Sequence, residues 1–432
     1  MSGAPGPDHE QHRGSLRTAL AGLTTRGRSF LAAGVAAGVC AYVLGQADLL
    51  RVGMLLAVLP LVCVLVLHRT RYRVAGSRRL SPARVPARTE ARVQLRVDNV
   101  SRLPTGLLML QDRVPYVLGP RPRFILDRVE PGGRREVSYR VRSDLRGRYP
   151  LGPLQLRLTD PFGMCELTRS FSQYDTLTVV PRTEPLPPVR LAGEHGGHGD
   201  GRQRALALAG DDDVIPRGYR HGDDLRRVHW RSTARHGQLM VRREEQPQRP
   251  RCTVLLDTRR AAYAGSGPDS PFEWAVEGAA SVCLHLLERG YAVRLITDTG
   301  PAAPGLEGSG FGGDSPDLAG LLLDALALVE HSAEPGLSRA YDALRGGTGG
   351  HEGLLIAFLG TLDAEQAHLL SRMRQRAHRA VAFAAEPGAE DGESPPATLR
   401  EAGWTMVPGG PGTPMREAWH EADTAMAKGL DR

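Results

Sequence analysis

Two apolar runs lie close together near the N-terminus: FLAAGVAAGVCAYVL from Phe30 to Leu44, and VGMLLAVLPLVCVLVL from Val52 to Leu67. No other feature constrains the folding of this chain as strongly. A helix crossing hydrocarbon needs ~20 mostly apolar residues and must satisfy its backbone polar groups within itself. With interfacial flanks, each run reaches that length. A cleaved signal peptide fits poorly, because no clear A-x-A site follows the first run and the second arrives just past the GQADLL link. The pair predicts a transmembrane helical hairpin over residues 29–68, behind a basic, disordered N-terminus over residues 1–28. Gly34, Ala37 and Gly38 are small enough to let the two helices approach closely.

Flanking charge predicts the orientation. Arg13, Arg17, Arg26 and Arg28 precede the first run, and His68, Arg69, Arg71 and Arg73 follow the second, while the connecting loop carries only Arg51 beside Asp48. By the positive-inside rule both termini face the cytoplasm, and the protein is expected in the plasma membrane with its soluble part in the cytosol.

At 432 residues the chain is too long for one core, so several domains are expected. The net charge of +7 raises nucleic acid or an anionic membrane surface as a partner class. Lys428 is the sole lysine, however, and such uniform use of arginine reads as a coding bias rather than a binding patch. The five cysteines, Cys40, Cys63, Cys165, Cys252 and Cys283, have no C-x-x-C spacing, which argues against a disulfide framework or a zinc site.

Between residues 74 and 182, short alternating stretches (ARVQLRVDNV, GLLMLQDRV, REVSYRVRS, GPLQLRLTD and DTLTVVPRT) are separated by Pro- and Gly-bearing turns. Period-two alternation predicts half-buried antiparallel strands, and some hundred such residues predict an immunoglobulin-like β-sandwich that spaces or binds. Residues 183–212 read as a linker, in which His195 and His198 are solvated loop residues without a ligand set.

A distinct segment occupies residues 213–250 and includes RGYRHGDDLRRVHWRSTARHGQLMVRREE, from Arg217 to Glu245. An aspartate of the Gly222-Asp223-Asp224 turn is suited to cap the short helix LRRVHWRSTAR, His236-Gly237 to end it, and QLMVRRE to resume as a strand. The run Tyr219, Gly222, Asp223, Asp224, Arg227, Trp230, Ala234, Arg235, Leu239, Val241, Arg242, Glu245 resembles the defining motif of the domain-of-unknown-function-58 family. His221 stands where that family commonly has proline, and His229 where it commonly has aspartate. The resemblance implies an N-terminal membrane hairpin, a β-rich domain, the motif and a von Willebrand factor A-like domain, in that order. Nucleic-acid binding by the segment's arginines with Tyr219 and Trp230 is the competing reading. Asp223, Asp224, Glu244 and Glu245 are placed to pair with those arginines, and the tether restricts access to nucleic acid. The cluster His221, Asp223, Asp224, His229, His236 matches no standard metal spacing.

From residue 251 to 432, CTVLLDT, YAVRLITDT, GLLIAFLG, RAVAFAAE and a weaker WTMVPG alternate with helical segments near Phe272–Arg289, Asp317–His331, Ala364–His378 and Pro414–Lys428. That alternation predicts a doubly wound parallel sheet whose ligands sit at the carboxyl strand ends. A von Willebrand A domain would carry Asp-x-Ser-x-Ser after its first strand to ligate Mg²⁺. This chain has Asp257-Thr258-Arg259-Arg260-Ala261, with Arg259 and Ala261 in the serine positions, so no metal and no other cofactor is expected. Asp257 is expected to pair with Arg259 or Arg260. The whole reads as a multidomain, non-enzymatic adaptor held in the lipid bilayer. Arg259 or Arg260 would recruit a partner's carboxylate, and the resemblance implies a MoxR-class AAA+ ATPase in envelope or complex maturation. The rivals are an anionic-lipid or nucleic-acid binder and a cryptic hydrolase using Asp223, Asp224 or His229.

Overall fold

The computed structural model describes residues 22–71, 74–102, 104–160, 162–188, 216–219, 228, 230–242, 250–302, 316–346, 352–385 and 395–430. Gly222, Asp223, Asp224, Arg227, His221, His229, His195 and His198 lie outside these residues, as do most of the N-terminus expected over 1–28 and most of the 183–212 linker. The chain divides into two compact units, Met1–Val180 and Pro181–Arg432.

The first unit opens with two antiparallel helices, α1 (Thr25–Leu44) and α2 (Ala47–Arg71), each with a segment long and apolar enough to cross a membrane. Thr24 caps α1, its hydroxyl accepting from the Gly27 N–H, and Gly45 ends it in the left-handed conformation at φ +68°. A Cβ on Gly34 would stand 2.6 Å from the Ala57 nitrogen, and one on Gly53 2.9 Å from the Gly38 nitrogen. Glycine therefore sets the helix separation at Gly34, as expected. At Gly38 it is the backbone that is approached, by Gly53.

The β-rich part holds β1 (Val74–Ser81), β2 (Arg84–Pro86), β3 (Glu90–Asn99), β4 (Leu107–Asp112), β5 (Arg123–Leu126), β6 (Arg134–Arg142), β7 (Gly147–Leu151), β8 (Leu154–Thr159), β9 (Glu166–Phe171) and β10 (Asp175–Val180). They form three sheets, ordered β1-β3-β6, β2-β10-β7 and β5-β4-β8-β9. Alternation does the sorting: in β3 the side chains of Ala91, Val93, Leu95 and Val97 are buried and their neighbours face outward. One apolar cluster joins Val93, Leu110, Leu156 and Leu177 from all three sheets.

A charge is built into that core. The Arg78 guanidinium donates to both oxygens of buried Asp112 and, from Nη1, to the Leu151 carbonyl at 2.9 Å and to Asp175 Oδ2 at 3.2 Å. Tyr139 donates its hydroxyl to Asp112 Oδ2 at 2.6 Å. Every oxygen of the buried carboxylate is thus met by a donor, which is the condition for burying a charge.

The second unit begins earlier than the linker boundary suggests. Residues 184–187 run over helices: Glu184 N–H donates to Ser281, Trp419 Nε1 donates to the Pro187 carbonyl, and Leu186 is buried. Further on, β11 (Pro216–Gly218) and β12 (Met240–Arg242) pair as an antiparallel hairpin around the short helix α3 (Trp230–His236).

A mixed sheet follows, built from β13 (Arg251–Leu256), β14 (Ala292–Thr297), β15 (Gly300–Pro301), β16 (Glu352–Leu359), β17 (Ala377–Ala384) and β18 (Thr405–Pro408). Its order is β15-β14-β13-β16-β17-β18, parallel except for the edge strand β15. The strands are almost continuously buried, as parallel strands covered on both faces must be. One face packs Val254, Ile356 and Phe358 against α4 (Pro271–Glu288), α5 (Pro316–Leu328) and α9 (Met415–Leu430). The other packs Leu255, Leu355 and Ala357 against α6 (Ser338–Gly346), α7 (Ala364–Arg374) and α8 (Pro395–Glu401). The helix expected through His378 stops at Arg374, because the apolar run from Ala377 is claimed by β17.

Candidate functional site

The chain leaves β13 and turns first to β14 on one side, then to β16 on the other, so the strand order reverses between β13 and β16. At such a reversal the two connections diverge, and a crevice opens beyond the carboxyl ends of the strands. Asp257, Thr258 and Arg259 emerge from β13 at this point, opposite Gly360 and Thr361 from β16.

In this chain that crevice is filled from within. Arg259 folds back on Asp257, with Nε to Oδ1 at 2.9 Å and Nη2 to Oδ2 at 2.8 Å, and its Nη2 also reaches the Thr361 carbonyl at 3.2 Å. Asp257 is fully buried and Arg259 only 4% exposed. Burial works against the Arg259 charge, and the Asp257 carboxylate more than offsets it, so the guanidinium pKa is held above its ordinary value. Burial pushes the Asp257 carboxyl upward, against the pull of Arg259. On the other side, a Cβ at Gly360 would lie 2.2 Å from the Ala262 carbonyl oxygen, which accepts from the Thr361 N–H at 2.8 Å. Only glycine lets the turn after Arg259 close over β16.

A second buried carboxylate lies one strand away. Asp298, at the end of β14, accepts from the Thr258 N–H at 2.7 Å and from the hydroxyls of Thr258 and Ser332. Ser332 in turn bridges alongside Arg259, its N–H donating to the Thr258 carbonyl at 2.7 Å. Neither Asp298 nor Ser332 carries a sequence motif, although Asp298 follows the apolar run YAVRLIT at the carboxyl end of a predicted strand. Asp363, the acid after β16, is engaged in capping α7 through the Gln366 N–H.

These residues do not fit a divalent cation. Both oxygens of Asp257 are taken by the Arg259 guanidinium, whose positive charge would repel a cation there. Among the described residues no three His, Cys, Asp or Glu side chains are grouped as metal ligands. The expected role of Arg259 as an outward hook for a partner's carboxylate is corrected on the same ground, because its donors are turned inward. Arg260 is exposed.

The described part of the motif region presents a different kind of surface. The Tyr219 N–H donates to the Leu239 carbonyl at 2.8 Å, and Thr233 Oγ1 accepts from the Met240 N–H at 3.1 Å, tying α3 to the hairpin. Gly237, at φ +69°, lets the chain turn from α3 into β12. Trp230 at the start of α3 is 71% exposed, and Arg231, Ala234, Arg235 and Leu239 of the same element are exposed too. The structure thus brings Tyr219, Trp230, Ala234 and Arg235 into one small hairpin-helix element.

Residues 216–382, from this element through most of β17, match the family described as "Protein of unknown function DUF58". These residues are a DUF58 domain. The DUF58 match crosses the boundary expected at residues 250 and 251, so the motif segment and the first four parallel strands belong to one family unit. No curated protein sequence matches the chain. Solved structures resemble it over short stretches. The CARDB domain of a Pyrococcus furiosus protein is 11% identical, covering 25% of this chain and 94% of its own, with a TM-score of 0.20. The sporulation control protein Spo0M of Bacillus subtilis is 12% identical, covering 25% of this chain and 49% of its own, with a TM-score of 0.16. Neither likeness bears on the DUF58 domain's activity.

Proposed function

We propose that the protein is a membrane-anchored, cytoplasm-facing adaptor without chemistry of its own, whose DUF58 domain docks a MoxR-class AAA+ ATPase through the surface around Trp230. The observation that carries this reading is the exposure of Trp230. A large aromatic left in water on a short helix that also exposes two arginines has the composition of an interface hot spot, where tryptophan and arginine supply most of the binding energy. The sealed crevice supports the same reading, since Asp257 and Asp298 are both satisfied internally.

The anchor in this reading is the α1–α2 hairpin, supported by its apolar exposed side chains such as Val35, Leu55 and Leu65 and by the arginines at both outer flanks. Residues 74–182 are an immunoglobulin-like β-sandwich in this reading, supported by their alternating, mostly antiparallel strands. The mixed sheet is von Willebrand A-like, supported by its strand order and by Asp257 at the end of its first strand.

Affinity purification from native membranes, comparing wild type with Trp230→Ala, tests the proposal. An AAA+ ATPase that co-purifies with wild type and not with the folded variant is the expected result. The same tryptophan and arginines would also suit stacking on single-stranded nucleic acid, and a steep salt dependence of binding would mark that alternative.

A further inference from the structure

The loop between β8 and β9 is bound to the foot of the helix hairpin. Leu23 and Cys165 form a β-bridge, the Thr24 N–H donates to the Met164 carbonyl at 2.9 Å, and the Glu166 N–H donates to the Gly22 carbonyl at 2.8 Å. The Thr24 hydroxyl, which caps α1, donates in turn to the Gly163 carbonyl at 2.7 Å. A Cβ on Gly27 would lie 2.3 Å from the Met164 carbonyl oxygen, so only glycine lets the first turn of α1 press against the loop. From the other helix, Cys63, Val64 and Leu67 share the apolar cluster with Leu23, Met164 and Cys165.

The loop is also tied to itself. Asp160 holds it from inside, accepting from the Phe162 N–H at 3.0 Å and the Cys165 N–H at 2.6 Å. Phe162 is nevertheless 59% exposed. Arg26 is exposed beside it, with its Nη1 3.7 Å from where a Cβ on Gly163 would stand.

The height of this loop is fixed by the helix it grips. From Thr25 to Leu44 α1 has 20 residues, about 30 Å at 1.5 Å per residue, which is the thickness of the hydrocarbon core. With Gly45 turning the chain at one face, Thr24 and everything bonded to it must sit at the other.

We propose that the Phe162 turn is a lipid-contact element: Phe162 enters the headgroup–acyl boundary of the cytoplasmic leaflet, and Arg26 with Arg28 meets the phosphates of anionic lipids there. The partner is the bilayer itself, because the turn continues the apolar surface of the hairpin with an aromatic side chain and adjacent cations, the composition of a membrane interface. The β-rich unit is then fixed in orientation on the membrane by its own loop, instead of hanging from a flexible tether. The inference rests on the membrane reading of α1 and α2.

The test uses the full chain in phosphatidylglycerol–phosphatidylethanolamine vesicles that carry a nitroxide lipid near the headgroup. Phe162→Trp reports the turn and Val58→Trp reports the span, each read as added emission over the wild type with its native tryptophans. Clear quenching of the Phe162→Trp signal by the nitroxide lipid, with little by aqueous acrylamide, is expected for an interfacial aromatic. Adding Arg26→Gln should weaken that quenching in vesicles rich in phosphatidylglycerol. If Val58→Trp is quenched by a deep nitroxide lipid while Phe162→Trp answers only to acrylamide, the turn is not on the membrane and the inference falls while the anchor stands. If neither residue is quenched by lipid, the membrane reading falls with it.

Discussion

Arg259 places its guanidinium across both carboxylate oxygens of Asp257, two residues back in the chain, and so occupies the ligand crevice of its own sheet. With side chains 5% and 0% exposed, neither partner has water to fall back on. Removing one partner of a buried pair leaves an uncompensated charge, so Arg259→Ala should destabilise the protein by about 3–5 kcal/mol. The double replacement Asp257→Leu with Arg259→Met, which removes both charges at similar volume, should recover most of that loss. Thermal unfolding of the full chain in detergent measures both, and a harmless Arg259→Ala would refute the assignment.

Gly27 joins the hairpin to the β-rich unit by allowing its first helical turn to touch the Met164 carbonyl. Gly27→Leu should break the hydrogen bonds of Thr24 and Glu166 to the facing backbone while leaving the sheets intact. Hydrogen exchange then separates the two: the Thr24 and Glu166 amides should lose protection in the variant, and the β3 amides should keep theirs.

The cysteines give a prediction about pH. Burial, with the nearby Asp160 and Glu166 carboxylates adding to it, pushes the Cys165 thiol up to about 11, and burial alone pushes Cys283 up to about 12. A raised thiol pKa keeps the unreactive protonated form through neutral pH, so thiolate accumulates only as the pH approaches those values. Cys165, Cys252 and Cys283 are all buried. They should resist iodoacetamide up to a pH of about 9 and label promptly once the chain is unfolded. Mass spectrometry of the alkylated peptides reads this directly, and labelling of Cys283 in the folded protein would contradict the burial.

Much of this architecture was legible in the residues because strong periodicity leaves little choice. The runs from Phe30 and Val52, the alternation of ARVQLRVDNV and the apolar runs CTVLLDT and GLLIAFLG each predict the element that forms. The weaker elements β2, β5 and α8 escaped, since a strand of three or four residues or a helix opening with Pro395-Pro396 carries too little pattern to stand out. The pairing of Asp257 with Arg259 could be anticipated because the partners are two residues apart. The bond from Ser332 to Asp298 could not, because it joins residues brought together only when the chain crosses the sheet edge. Burial decided the rest: nothing in the string RR at Arg259 and Arg260 says that the first turns inward and the second faces water.

The exposed Trp230 surface is where we propose that a partner protein docks. A photoreactive benzoyl-phenylalanine in place of Trp230, activated in intact membranes of the native cell, would capture that partner. A discrete crosslinked product whose peptides identify an AAA+ ATPase is expected, absent when the same residue is placed at buried Trp404. Crosslinks to lipid or nucleic acid alone, or none above the Trp404 control, would contradict the proposal.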